Sequence, residues 1–76
     1  MAKAYLKVWT ESGKEKAVCS QLRKTSGIVS ADLTAGDQDI IAVVEAKDYE
    51  SLLKLVVSKV RKIKGISRTV TNLVLE

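Results

Sequence analysis

Ile40-Ile41-Ala42-Val43-Val44 is the longest unbroken apolar run in the 76-residue chain, and four of its five residues are β-branched. It is too short for a buried helix and suits a strand. Because successive side chains of a strand point to opposite faces, an apolar run at consecutive positions demands cover on both. The run therefore reads as an interior strand of a sheet.

Upstream, Ala35-Gly36-Asp37-Gln38 reads as a turn, with Gly-Asp tolerating positive φ, and Ile28–Thr34 as an extended segment, so the two arms predict a hairpin. Downstream, Asp48 reads as a helix cap, and Leu52, Leu53, Val56, Val57, Val60 and Ile63 as one broad apolar helix face. Lys59, Arg61, Lys62 and Lys64 crowd the expected last turns, where positive charge complements the helix dipole, before Gly65 stops the helix. Ile66–Leu75, rich in β-branched residues, reads as a last strand.

At the other end, Ala4, Leu6 and Val8 alternate with Tyr5, Lys7 and Trp9, the period of a strand. Ser12 and Glu15 have the spacing of a capping box, and a helix over Gly13–Lys24 would bury Val18, Cys19 and Leu22 before ending near Gly27. The halves match at an offset of 38 residues, with Leu6 on Val44, Val18 on Val56, Leu22 on Val60, Lys24 on Lys62, Gly27 on Gly65 and Ile28 on Ile66. Two interleaved βαβ units predict a single α+β domain over residues 1–76, a ferredoxin-like βαββαβ antiparallel sheet with both helices on one face.

Such a sheet has a second face. Tyr5, Lys7 and Trp9 on the first strand, with Ile41 and Val43 on the third, would line it, and an apolar patch of that kind marks an interface. A chain this short buries only about 60% of its unfolded surface, so a second copy stacked sheet to sheet is the economical cover. The expectation is a homodimer, a dimeric α+β barrel. Leu55, off the predicted helix stripe, reads as a singly exposed leucine or a further assembly contact.

The sequence contains no histidine and a single cysteine, Cys19. That removes the usual general base, Cys-His and Ser-His nucleophile pairs, and any tetrahedral zinc site within one chain. We expect no enzyme, no metal and no cofactor, and read Cys19 as a small core residue. No apolar run approaches the ~20 residues of a membrane span, and the Met1-Ala2-Lys3 start has no apolar leader, so a cytoplasmic location is expected. The net charge of +4 permits anionic partners without requiring them.

Four stretches together resemble the effector-binding (RAM) domain of the Lrp/AsnC regulator family. They are Gly27-Ile28-Val29, the Thr34–Ile41 turn with Gly36 and Asp39, Lys62-Ile63-Lys64-Gly65-Ile66, and Thr69–Leu75 with its Thr69-Val70-Thr71 alternation. Gln38 stands where the family commonly has an aromatic residue, and Lys64 where it has proline. The resemblance spans the chain. It implies a stand-alone effector module without the family's helix-turn-helix, forming dimers and higher oligomers such as octamers. It also implies an amino-acid effector near the hairpin turn, full-length Lrp/AsnC regulators as partners, and no direct DNA binding.

An amino acid presents an ammonium and a carboxylate. Asp39 would accept from the first, amides around Ala35, Gly36 and Gln38 would donate to the second, and the Gln38 side chain would meet the effector's own. The hydroxyls of Thr69 and Thr71, on one face of the last strand, would complete the site. Two alternatives stand beside this reading: nucleic-acid binding through Lys59, Arg61, Lys62, Lys64 and Arg68, and an ACT-like regulatory subunit of a metabolic enzyme.

Overall fold

The computed structural model describes residues 1–75 and shows β1 (Ala2–Thr10), α1 (Glu15–Arg23), β2 (Ile28–Leu33), β3 (Ile40–Ala46), α2 (Tyr49–Ser58) and β4 (Ile66–Leu73). A single 3-10 turn over Val60–Lys62 follows α2. The strands form one antiparallel sheet in the order β2-β3-β1-β4, so the apolar run lies inside it, as its composition requires. On β3, Ile40, Ala42 and Val44 are buried under the helices while Ile41 and Val43 are half-buried on the opposite face.

The core is built from alternate positions of the strands and one stripe of each helix. Ala4, Leu6 and Val8 of β1 meet Val18, Cys19 and Leu22 of α1 and Leu52 and Val56 of α2. Cys19 is buried, with Sγ 3.5 Å from the carbonyl of Ala31. The internal repeat is visible in the backbone: Gly27 and Gly65 both adopt left-handed φ, 95° and 100°, in turns that lead into β2 and β4. A Cβ at Gly27 would strike the side chain of Leu55, so the position needs glycine for room as well as for conformation.

Several local expectations are corrected. Ser12 is not a helix cap: α1 begins at Glu15, and the Glu15 carboxylate accepts from the amide of Gly13 at 3.1 Å. The chain is turned earlier, at Gly13 (φ 83°), while the Glu11 amide bonds to the Gly65 carbonyl at 2.7 Å. Gly36 is not in the positive-φ region.

The six apolar residues assigned to α2's face span too wide an arc for one buried stripe. Burial selects the i, i+4 series Leu52, Val56 and Val60, leaves Leu53 and Val57 44% and 57% exposed, and draws Leu55 against the core instead. Because α2 ends at Ser58, its last turn holds no basic residue, and Arg61, Lys62 and Lys64 lie beyond it. Asp48 is the expected cap, its Oδ1 accepting from the Ser51 amide at 2.7 Å.

Candidate functional site

The turn between β2 and β3 is the first place the predicted ligand residues gather. Its frame is made locally: the Thr34 amide donates to the Asp39 carbonyl at 2.9 Å, Thr34 Oγ1 to the Gln38 carbonyl at 3.1 Å, and Gln38 Nε2 to Thr34 Oγ1 at 3.2 Å. The frame is tied to β1 from two sides. Trp9 Nε1 donates to the Asp37 carbonyl at 2.8 Å, and Asp39 Oδ2 accepts from the Thr10 amide at 2.8 Å and hydroxyl at 3.3 Å.

The consequences for the predicted roles differ by residue. Asp39 is engaged with Thr10 and Gln38 with Thr34, so both side chains hold the turn itself. The amides of Ala35, Gly36 and Gln38 have no hydrogen-bond acceptor among the described residues. Ala35, Gly36 and Asp37 are exposed. The tip is thus a short row of open N–H donors beside an exposed carboxylate, which is the polarity an amino acid's two charged groups call for.

Thr69 and Thr71 are elsewhere. They pair with Val8 and Leu6, so they point to the helix side of β4, and β1 stands between them and β3. Alternate strands of a sheet are about 10 Å apart. A single chain therefore does not bring the two threonines to the turn.

The threonines lie instead in a second feature, a groove of about 570 Å³ beside α2. α1 packs on β2 and α2 on β1 and β3, so the helix side of β4 becomes the groove's floor, with Ser67, Thr69 and Thr71, and α2 its wall, with Leu53, Val57 and Arg61. By sequence pattern alone, Leu53 and Val57 belong to the helix core face and Arg61 to the helix end. Only the position of β4 at the sheet edge reveals their common cavity.

The third feature is the face of the sheet opposite the helices. Tyr5 pairs with Val43 and Lys7 with Ile41, which places four of the five predicted interface residues in two adjacent rows; Trp9 follows on the same side of β1. Val70, across from Lys7 on β4, joins them. Arg68 stacks over the Trp9 ring at 4.6 Å and Lys3 over Tyr5 at 5.4 Å. Lys7, between Ile41 and Val70, has no carboxylate within 4.0 Å among the described residues. Among the described residues no helix is long and apolar enough to cross a membrane.

Comparison with known proteins converges on one family. The chain is 39% identical over 57 residues to an HTH-type transcriptional regulator of Pyrococcus furiosus, covering 75% of this chain and 38% of that protein. It thus spans well under half the length of that curated relative. A homocitrate synthase of Sulfurisphaera tokodaii shares 38% identity over 60 residues, 79% of this chain but 13% of the enzyme. The crystal structure of FFRP-DM1 superposes with a TM-score of 0.93 at 28% identity, covering 99% of this chain and 100% of that one. A transcriptional regulator of Neisseria meningitidis in complex with L-Met shares the fold, with a TM-score of 0.86 at 16% identity over 99% of this chain and 50% of that one. The family model described as the Lrp/AsnC ligand binding domain matches residues 3–76, and the chain belongs to that family.

Proposed function

We propose that this chain is an amino-acid-binding and assembly module that acts on transcription through ligand-dependent association rather than by reading DNA sequence. The observation that carries this reading is the separation of the two halves of the candidate site. The donor-rich turn and the hydroxyl-lined groove are separated by β1 on one chain, so a pocket containing both forms where the turn of one copy enters the groove of another. Bound effector then favours the assembled state by its difference in affinity for the joined and separate forms.

In this reading the sheet faces of two copies stack first, burying Tyr5, Trp9, Ile41, Val43 and Val70. Dimers then associate through turn and groove into larger rings such as octamers. Ala35, Gly36 and Gln38 supply amides to the effector carboxylate, Thr69 and Thr71 supply hydroxyls, and Leu53 and Val57 meet its apolar side chain. The Neisseria regulator of the same fold, described in complex with L-Met, supports the choice of an amino acid. Full-length regulators of the family are the natural co-assembly partners.

The experiment is light scattering of the purified chain with and without each standard amino acid. One or more effectors are expected to change the oligomer mass, and Thr69→Val/Thr71→Val to remove that change while leaving the dimer intact. Absence of a response across the whole panel refutes effector sensing by this chain. A monomer at micromolar concentration refutes the stacked dimer.

The match to part of a homocitrate synthase favours a second reading, a module that reports effector levels to a metabolic enzyme. Co-purification with an enzyme, rather than with a DNA-binding regulator, would select it.

A further inference from the structure

The chain's charge is divided between its two layers. Residues 14–24 and 48–64, which make the helix layer, hold nine Lys and Arg against three carboxylates, whereas the rest of the described residues hold four against five. The net +4 of the whole molecule therefore understates a strongly positive helix layer on a slightly negative sheet layer.

The excess is concentrated at one end. Lys59, Lys62 and Lys64 line a groove of about 420 Å³ between the 3-10 turn and α1, with Gln21 of α1 on the far side and no carboxylate in its lining. Among the described residues none of the three lysines has a carboxylate within 4.0 Å; the recorded ion pairs of this layer are Arg23–Asp32 and Lys54–Glu50. The carboxylate that opens α1, Glu15, is held by the Gly13 amide. Lys62 and Lys64 are not explained by the helix dipole either, because α2 has already ended at Ser58.

We infer that this lysine groove and the helix layer around it form a docking surface for the phosphate backbone of double-stranded nucleic acid. The lysines are flexible, exposed point charges without a backbone cradle or an aromatic platform, so they suit a continuous line of phosphates better than one enclosed phosphate group. Duplex DNA offers such a line, about one charge per 1.7 Å of axis. Because only phosphates are contacted, binding carries no sequence preference. The surface lies opposite the sheet face assigned to the dimer, and the inference does not rest on the effector reading.

The test is fluorescence anisotropy with two duplexes of unrelated sequence, about three turns long, between 50 and 200 mM salt. The wild-type chain is expected to bind both equally, with log affinity falling linearly against log salt. Lys59→Gln/Lys62→Gln should reduce the slope by about 2 and the affinity at the lowest salt at least tenfold. Lys59→Arg/Lys62→Arg should retain both, and the control Lys47→Gln, outside the groove and the sheet face, should leave the slope close to wild type. Thermal melts of each variant confirm that the fold persists. The inference is overturned by absence of wild-type binding at the lowest salt, by equal losses in the control, or by loss in the arginine variant. Binding of inorganic triphosphate with no binding of duplex would assign the groove to small phosphates and overturn it too.

Discussion

Asp39 Oδ2 accepts hydrogen bonds from both the amide and the hydroxyl of Thr10, at 2.8 and 3.3 Å, at the point where the backbone ladder between β1 and β3 ends. The last ladder pair is Val8 with Ile40, and the Asp39 amide adds one further bond to the Val8 carbonyl at 3.0 Å. The carboxylate then continues the pairing with its side chain. On the other edge of β1 the register with β4 shifts between Trp9 and Thr10, so the aspartate secures a strand end that is already irregular.

Replacing Asp39 therefore tests two things that one variant confuses. Asp39→Ala leaves the partly buried Thr10 amide without its acceptor and should cost about 1–3 kcal/mol, read by denaturant unfolding. Asp39→Asn keeps an acceptor oxygen and should cost clearly less. An effector response lost in both variants assigns the charge to the ligand; a response kept in Asp39→Asn assigns the residue to the frame of the turn.

Gly27 and Leu55 should be coupled. Gly27→Ala combines left-handed strain, about 1–2 kcal/mol, with a collision against the Leu55 side chain, whereas Gly13→Ala meets open space and carries only the strain. Gly27→Ala should thus be the more destabilising of the two. In a double-mutant cycle Leu55→Ala should recover part of the loss, with a coupling energy of about 0.5–3 kcal/mol.

Adjacent leucines on α2 should behave oppositely. Leu52 is fully buried, and Leu52→Ala should cost about 2–5 kcal/mol, a large part of the stability of a domain this small. Leu53, 44% exposed on the wall of the β4 groove, should tolerate alanine within about 0.5 kcal/mol in the isolated chain. If Leu53→Ala instead weakens assembly in light scattering, the groove is in use between copies.

Asp48 gives the stability a defined pH dependence. The Ser51 amide, helped by the Ser51 side chain and by nearby Lys47 and Lys54, holds its carboxyl below the ordinary carboxylate value. A depressed folded-state pKa means that the unfolded chain binds the proton more readily, so the stabilisation is complete above about pH 4 and lost as pH falls through the folded value. Thermal melts should show this loss in the wild type. Asp48→Asn, an equally good cap by residue type, should keep stability at neutral pH and remove this contribution to the acid-side decline.

Much of the architecture is legible because it rests on short-range periodicity. Val18 and Leu22 on α1, Val56 and Val60 on and after α2, and the two left-handed glycines that precede β2 and β4 are each fixed by spacing and backbone chemistry within a few residues. The helix start at Glu15 was less legible. Ser12 had the right spacing to Glu15, but the bond from Glu11 to Gly65, 54 positions away, sets where the chain turns.

The candidate site divides along the same line. The turn residues Ala35, Gly36, Gln38 and Asp39 could be grouped from sequence because they are neighbours in the chain. Thr69 and Thr71 could not be placed, because a strand's alternation says that two residues share a face without saying which face meets the helices. Pairing with Val8 and Leu6 decides that, and it puts the threonines in the groove with Leu53 and Val57.

The sequence by itself determined the order of elements, the interior position of Ile40–Val44, the repeat and the aromatic face of β1, since all follow from local pattern and the need to cover apolar surface. Only the tertiary structure decided which flank of α2 is buried, which side of β4 carries its hydroxyls, and that the lysines after α2 surround a common groove. These depend on how distant segments pack, and a wide apolar arc or a run of basic residues is compatible with several packings until the sheet chooses one.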